Sequence, residues 1–134
     1  MKHFVLDNSV AIAWFFEAQA TPYTEKILQR IARGDRPSVP ALWISEFCNV
    51  MARAVTTQLI PPDTARGIIR HAQALPIDEH HAPDLTTLSE LTLTHQLSAY
   101  DATYLELATR LNAPLATTDR ALANAARSLG LLIS

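Results

Sequence analysis

Three short strand-like runs, His3 to Leu6, Arg36 to Val39 and Pro114 to Thr117, each deliver the chain almost at once into a helix-start signal. Asp7-Asn8-Ser9 follows the first, Pro40 the second and Thr118-Asp119 the third. Strands separated by helices cannot close as hairpins, so they pair in parallel through right-handed crossovers. The fold expected is α/β, a three-layer sandwich with a central parallel sheet of about five strands flanked by helices. In such sheets ligands collect at the carboxyl ends of the strands, where strand order reverses. Asp7 and Asp119 stand at two of those ends, and they become neighbours if the strand at Pro114 to Thr117 returns beside the first.

The segments between these runs read as helices. Val10 to Phe16 is apolar on every side and needs cover on more than one face. Thr21-Pro22 opens a second helix that stops at Gly34. A third begins at Pro40, with Trp43, Phe47, Val50 and Ala54 as its core stripe. Pro61-Pro62-Asp63 starts a fourth helix to about Ala74, and a strand is expected from Leu75 to Asp78. Helices from about Pro83 to Thr94, Ser98 to Leu111 and Asp119 to Ser128 follow, with a last strand at Leu131 to Ile133.

The 134 residues, 49% of them hydrophobic, suit one domain spanning 1–134 with a single core. The lone Cys48 removes any disulfide framework and reads as a small buried apolar residue. The apolar stretch from Val10 to Phe16 falls far short of the roughly 20 residues of a membrane span. No membrane association is expected, and a cytoplasmic location is. Eleven Lys and Arg against 13 Asp and Glu leave a net charge of −2, so no global field draws the chain to a polyanion. His80-His81 reads as surface loop, and His71 and His95 lack partners at ligand spacing.

Each acid near a strand or helix end has a bland explanation. Asp7 and Asp119 are good N-caps, and Ser98-Ala99-Tyr100-Asp101 resembles a capping box with Asp in place of Glu. Glu46 resists that treatment: it lies inside a helix, on an edge shared with Asn49 and Arg53 that is either wet surface or a site wall. Gathered at one end of a parallel sheet, the four would repel. Two charges about 4 Å apart cost roughly 4 kcal/mol even at an effective dielectric of 20. Protonation or a cation must relieve this, and an all-oxygen donor set favours Mg²⁺ or Mn²⁺, ions that share phosphate oxygens of a substrate.

The segments Val5-Leu6-Asp7-Asn8-Ser9-Val10, Ile44-Ser45-Glu46, Ser98-Ala99-Tyr100-Asp101-Ala102 and Leu115-Ala116-Thr117-Thr118-Asp119-Arg120 resemble, in order and spacing, the four acidic motifs of PIN-domain proteins. The resemblance runs from Lys2 to Ile133 and is strongest to the single-domain VapC-type toxins of prokaryotic toxin–antitoxin pairs. It implies a Mg²⁺-dependent endoribonuclease, with Mn²⁺ as a possible substitute, that hydrolyses RNA through metal-activated water and leaves 5′-phosphate and 3′-hydroxyl ends. Asp7, Glu46, Asp101 and Asp119 match the metal-binding and catalytic acids, and Ser9 and Thr117 match hydroxyl positions that hydrogen-bond within the site. Arg120, beside Asp119, is the candidate phosphate contact. The resemblance further implies a homodimer and neutralisation by a cognate antitoxin, in a heterotetramer or larger assembly. The antitoxin would lie in a groove near the first two helices, where Trp14 and Phe15 are candidate contacts and one of them is expected to be partly exposed.

Other classes fare worse. A phosphoacceptor receiver domain needs a lysine near a late strand, and the only lysines are Lys2 and Lys26. A haloacid-dehalogenase-like phosphatase wants an Asp where Ser9 stands. Three glycines and no Gly-Lys-Ser/Thr exclude a P-loop. The remaining alternative is a non-catalytic PIN-like protein-binding module, in which the acids serve only as caps.

Overall fold

The computed structural model describes residues 2–134. Its sheet holds four parallel strands, β1 His3–Leu6, β2 Arg36–Pro40, β3 Asp78–His80 and β4 Leu115–Ala116, in the order β3-β2-β1-β4. Val5 pairs with Leu115 and Leu6 with Ala116, so the chain does return beside its first strand. Strand order therefore reverses between β1 and β4, and the carboxyl ends of these two strands form the switch point of the sheet.

Seven α-helices flank the sheet: α1 Asn8–Ala13, α2 Pro22–Ala32, α3 Leu42–Thr56, α4 Pro62–Gln73, α5 Leu85–His95, α6 Ala99–Leu111 and α7 Arg120–Ser128. Helix α6 is the central one. Every residue from Ala102 to Ala108 is buried as α6 crosses β1, β2 and β4, with α5 and α7 beside it. Phe4, Val5 and Leu6 of β1 are fully buried, and a side chain of this size stabilises a fold by about 1.5–3 kcal/mol when removed from water. None of the described helices is long and apolar enough to cross a membrane.

Five details depart from the sequence-based expectations. The sheet has four strands where about five were expected, because Leu131 to Ile133 makes only an isolated bridge, Leu132 opposite Leu115. β4 is two residues long and offers this segment little edge to extend along. The third strand lies at Asp78–His80 and not at Leu75 to Asp78, since Leu75 N–H still closes a turn on Ala72 O and Pro76 has no N–H to give to a ladder.

Helix α1 ends at Ala13, short of Phe16, because the three aromatics after it turn to other neighbours. Trp14 Nε1–H donates to Thr24 O at 2.7 Å, and Phe15 meets Phe47 edge-on with ring centroids 6.1 Å apart. On α3 the core stripe is Trp43, Phe47, Met51 and Ala54, while Val50 is exposed. Cys48 is likewise exposed, not buried as expected, because one helical step of about 100° carries it off that stripe.

Tyr23 of α2 ties the end of the chain to the switch point. Its hydroxyl donates to Ile133 O at 2.9 Å and accepts from Thr117 N–H at 3.3 Å. Replacing Tyr23 by Phe leaves both backbone groups without this partner, and each orphaned polar group costs about 1–3 kcal/mol where water cannot reach it. Tyr23→Phe is therefore expected to lose about 1–3 kcal/mol in urea unfolding. An unchanged midpoint would show that this hydroxyl does not secure the carboxyl end of β4.

Candidate active site

Asp7 follows the last residue of β1 and occupies the N-cap position of α1, yet its side chain makes no cap hydrogen bond. Instead Oδ2 accepts two hydroxyls at 2.7 Å, one from Ser9 and one from Thr117. The two hydroxyls are themselves held in place. Ser9 Oγ accepts Thr118 N–H at 3.0 Å, and Thr117 Oγ1 accepts Asp119 N–H at 3.0 Å. The turn after β4 is thus bound to the turn after β1 through the carboxylate they share, and Oδ1 is left without a hydroxyl donor.

This carboxylate is buried, at 7% exposure. Burial pushes the Asp7 carboxyl above its ordinary range, the Ser9 and Thr117 hydroxyls pull it down, and the negative charges of Glu46 and Asp119 raise it again. Asp101 is half-buried and shifts upward for related reasons: first desolvation, then repulsion by Asp119 and Asp7. Asp7 thus lies within the field of Glu46 and Asp119, and Asp101 within that of Asp119 and Asp7.

Their local roles differ. Asp119 does cap α7, its Oδ2 accepting Leu122 N–H at 2.9 Å, so the structural reading of that residue holds alongside any other. Asp101 lies in the first turn of α6, where Ser98 Oγ accepts its N–H at 3.1 Å; Ser98 is the cap and the Asp101 carboxylate is not. Glu46, half-buried on α3, is gripped at Oε1 by Tyr104 O–H at 2.5 Å and Asn8 Nδ2–H at 3.3 Å. Asn8 also donates to Trp43 O at 2.9 Å. Desolvation first and Glu46 second push the Tyr104 phenol up, so it stays protonated as the donor.

Tyr104 and Asn8 are site residues that the sequence reading missed. Asn8 looked like part of a cap because it follows Asp7. Tyr104 sits three positions after Asp101, on the same face of α6, and that spacing was the available signal. Ser9 and Thr117, the two hydroxyl positions implied by the resemblance, both donate to Asp7 Oδ2. Arg120, at the exposed start of α7, forms no ion pair among the described residues. Trp14 and Phe15 are half-buried.

The donor set at the switch point is all oxygen, which suits a hard divalent cation. Among the described residues no three His, Cys, Asp or Glu side chains are arranged to hold a metal ion by themselves. That openness is compatible with Mg²⁺, which binds through one or two carboxylates and keeps several waters.

Residues 4–128 match the PIN domain family. The chain is 33% identical over 102 residues to Ribonuclease VapC1 of Mycobacterium tuberculosis, a match covering 74% of each chain. Among solved structures it is similar to PAE2754 from Pyrobaculum aerophilum, with a TM-score of 0.74 at 18% identity over 92% of this chain and 79% of that one. It is also similar to a chain in the VapBC2 complex of Rickettsia felis bound to a promoter DNA fragment, with a TM-score of 0.70 at 10% identity over 98% and 96% of the two chains. The parallel sheet, the match along nearly the whole chain and the VapC1 relative place this protein in the PIN-domain family.

The raised Asp7 carboxyl has a consequence for stability. A carboxylate whose folded-state pKa lies above its unfolded value destabilises the fold once ionised, and protonation relieves that as pH falls through the raised pKa. Asp7→Asn removes the charge while keeping an acceptor for Ser9 and Thr117. The variant is expected to melt a few degrees above the parent at neutral pH, with the difference shrinking as pH falls into the raised range of Asp7. Paired calorimetric melts at neutral and acid pH check this; a less stable variant at neutral pH would contradict it.

Proposed function

We propose that this chain is a divalent-metal-dependent endoribonuclease of the toxin type, acting on RNA phosphodiester bonds and neutralised by a cognate antitoxin. The observation that carries the reading is Asp7, a buried carboxylate at the switch point that declines to cap its own helix and lies within the field of Glu46, Asp101 and Asp119. Natural folds tolerate such crowding of charge mainly at functional sites. The names of the relatives, a ribonuclease and a VapBC complex, support the same class.

Asp7, Glu46, Asp101 and Asp119 are the residues that would hold Mg²⁺, or Mn²⁺ in its place. When bound, the ion supplies an activated water and neutralises charge on the phosphate under attack. The chain's own contributions are positional. Ser9 and Thr117 fix the Asp7 carboxylate, while Tyr104 and Asn8 fix Glu46 by one oxygen. Arg120, adjacent to Asp119 at the N-terminus of α7, offers a guanidinium to a substrate phosphate. Trp14 and Phe15 are proposed contacts of the antitoxin, and the assembly is proposed to be a homodimer of this chain joined to it.

The test is cleavage of a structured RNA pool by purified, antitoxin-free protein with Mg²⁺ or Mn²⁺, with EDTA, and with Asp7→Asn and Asp101→Asn. Metal-dependent cleavage is expected, abolished by EDTA and reduced at least about a hundredfold in each folded variant, since loss of a metal carboxylate removes several kcal/mol of transition-state stabilisation. Cleavage that survives Asp7→Asn would refute the site. No cleavage by any form of the folded protein would favour the protein-binding module.

A further inference from the structure

Asp7 and Glu46 share an asymmetry: in each, the protein's donors converge on one carboxylate oxygen. A carboxylate has roughly four lone-pair sites, two on each oxygen. On Asp7 both sites of Oδ2 are taken, by the Ser9 and Thr117 hydroxyls at 2.7 Å. On Glu46 both sites of Oε1 are taken, by the Tyr104 hydroxyl at 2.5 Å and Asn8 Nδ2–H at 3.3 Å. Among the described residues, Asp7 Oδ1 and Glu46 Oε2 accept no hydrogen bond. Asp119 shows the pattern in weaker form, with Leu122 N–H on Oδ2 alone. The charge of a carboxylate is spread equally over its two oxygens, so donors that served only to satisfy it would gain nothing by crowding onto one.

We infer that these paired donors restrict Asp7 and Glu46 to single-oxygen coordination and thereby make the site select a small six-coordinate cation against Ca²⁺, with Tyr104 the positioning residue that sets this at Glu46. The assignment rests on the cation reading above and adds to it which ion is refused and which residues refuse it.

The two kinds of ion differ in what they ask of a carboxylate. Ca²⁺ gathers about six to eight oxygens and often takes both oxygens of one carboxylate, whereas Mg²⁺ demands a near-ideal octahedron, keeps several waters and binds through one or two carboxylates. An oxygen whose lone pairs already accept two hydrogen bonds has none left for a second coordination bond. Asp7 and Glu46 therefore offer one oxygen each where unencumbered carboxylates would offer both. That suffices for the octahedral ion and leaves Ca²⁺ short of ligands.

Tyr104 is well placed for this role. It is buried on α6, and its hydroxyl oxygen accepts Asn8 Nδ2–H at 3.3 Å, which directs its own proton to Glu46. Asn8 also donates to Trp43 O at 2.9 Å, and three acceptors around one amide atom identify that atom as the nitrogen. Asn8 Oδ1 is then a buried acceptor without a donor among the described residues. Packing alone gives no reason to keep such an acceptor, and a hydrated cation at Glu46 is a source of donors.

The experiment is calorimetric titration of the full chain with Mn²⁺, standing in for Mg²⁺, and separately with Ca²⁺, in the parent, Tyr104→Phe, Ser9→Ala and Tyr100→Phe. The parent is expected to bind Mn²⁺ at least about tenfold more tightly than Ca²⁺. Tyr104→Phe keeps the ring in the core and removes only the donor. Its Mn²⁺ affinity is expected to fall about tenfold, the usual cost of losing a hydrogen bond to a metal ligand, while its Ca²⁺ affinity holds or rises because Oε1 becomes available. The ratio of the two then narrows about tenfold or more. Ser9→Ala is expected to move the ratio the same way through Asp7 Oδ2, and it carries the test if melting curves show that Tyr104→Phe folds poorly. Tyr100→Phe, which removes an exposed hydroxyl from the same helix, is the control and should change neither affinity. An equal loss of both ions in Tyr104→Phe and Ser9→Ala, the result expected of residues that only shape the site, overturns the assignment. A parent that binds Ca²⁺ as tightly as Mn²⁺ overturns it too, and both results leave the cation reading standing. A folded parent that binds neither ion overturns both.

Discussion

The structure turns on a buried carboxylate that the fold does not neutralise. Asp7 sits where β1 and β4 end side by side, and the hydroxyls of Ser9 and Thr117 converge on a single oxygen of it. Those two bonds do structural service, since they join the turns after both strands. They do not remove the charge. A solvated cap would have avoided the cost of burial and of repulsion by Glu46 and Asp119, and α1 could have been capped by Asp7 itself. The chain instead keeps a buried carboxylate beside other acids.

The surrounding architecture serves to hold this arrangement. α6 is buried over seven consecutive residues, and from it Asp101 and Tyr104 reach the same end of the sheet. Tyr104 is 1% exposed, so the oxygen that grips Glu46 belongs to the core and moves little. Tyr23 adds a brace from α2, between Thr117 and the last strand-like segment. Packing and site are therefore not separable here: the residues that position the acids are among the best buried in the protein. Repulsion among carboxylates is stability given up, and hydrophobic burial around β1 and α6 offsets it.

Much of this was legible in the sequence. Short runs ending at Asp7 and Asp119 located the switch point, because a parallel sheet with helical crossovers leaves few places for them to meet. The acids at positions 7, 46, 101 and 119 were visible as motifs, though among the described residues no three of them are arranged to hold a metal ion by themselves. What escaped did so for physical reasons. A two-residue β4 has little edge to pair, so the segment around Leu132 is a bridge where a strand was expected. Pro76 and the turn at Leu75 delayed β3 by three residues. The α3 stripe drifted from Val50 to Met51, since spacings of four, three and four and of four, four and three differ by one helical step. Asn8 and Tyr104 were hidden because their importance lies in a contact across about a hundred residues of chain, between α1 and α6.

The central proposal is that the carboxylates at the switch point bind a divalent cation. The most direct measurement is Mn²⁺ titration of the folded chain, by calorimetry and by the shift in melting temperature, in the parent and in Asp7→Asn. Saturable binding to the parent is expected, with stabilisation of about 2.7 kcal/mol at a hundred times the dissociation constant. Asp7→Asn is expected to start from a higher melting temperature and to respond weakly or not at all. Absence of Mn²⁺ binding by the parent, or equal responses of parent and variant, would contradict the account.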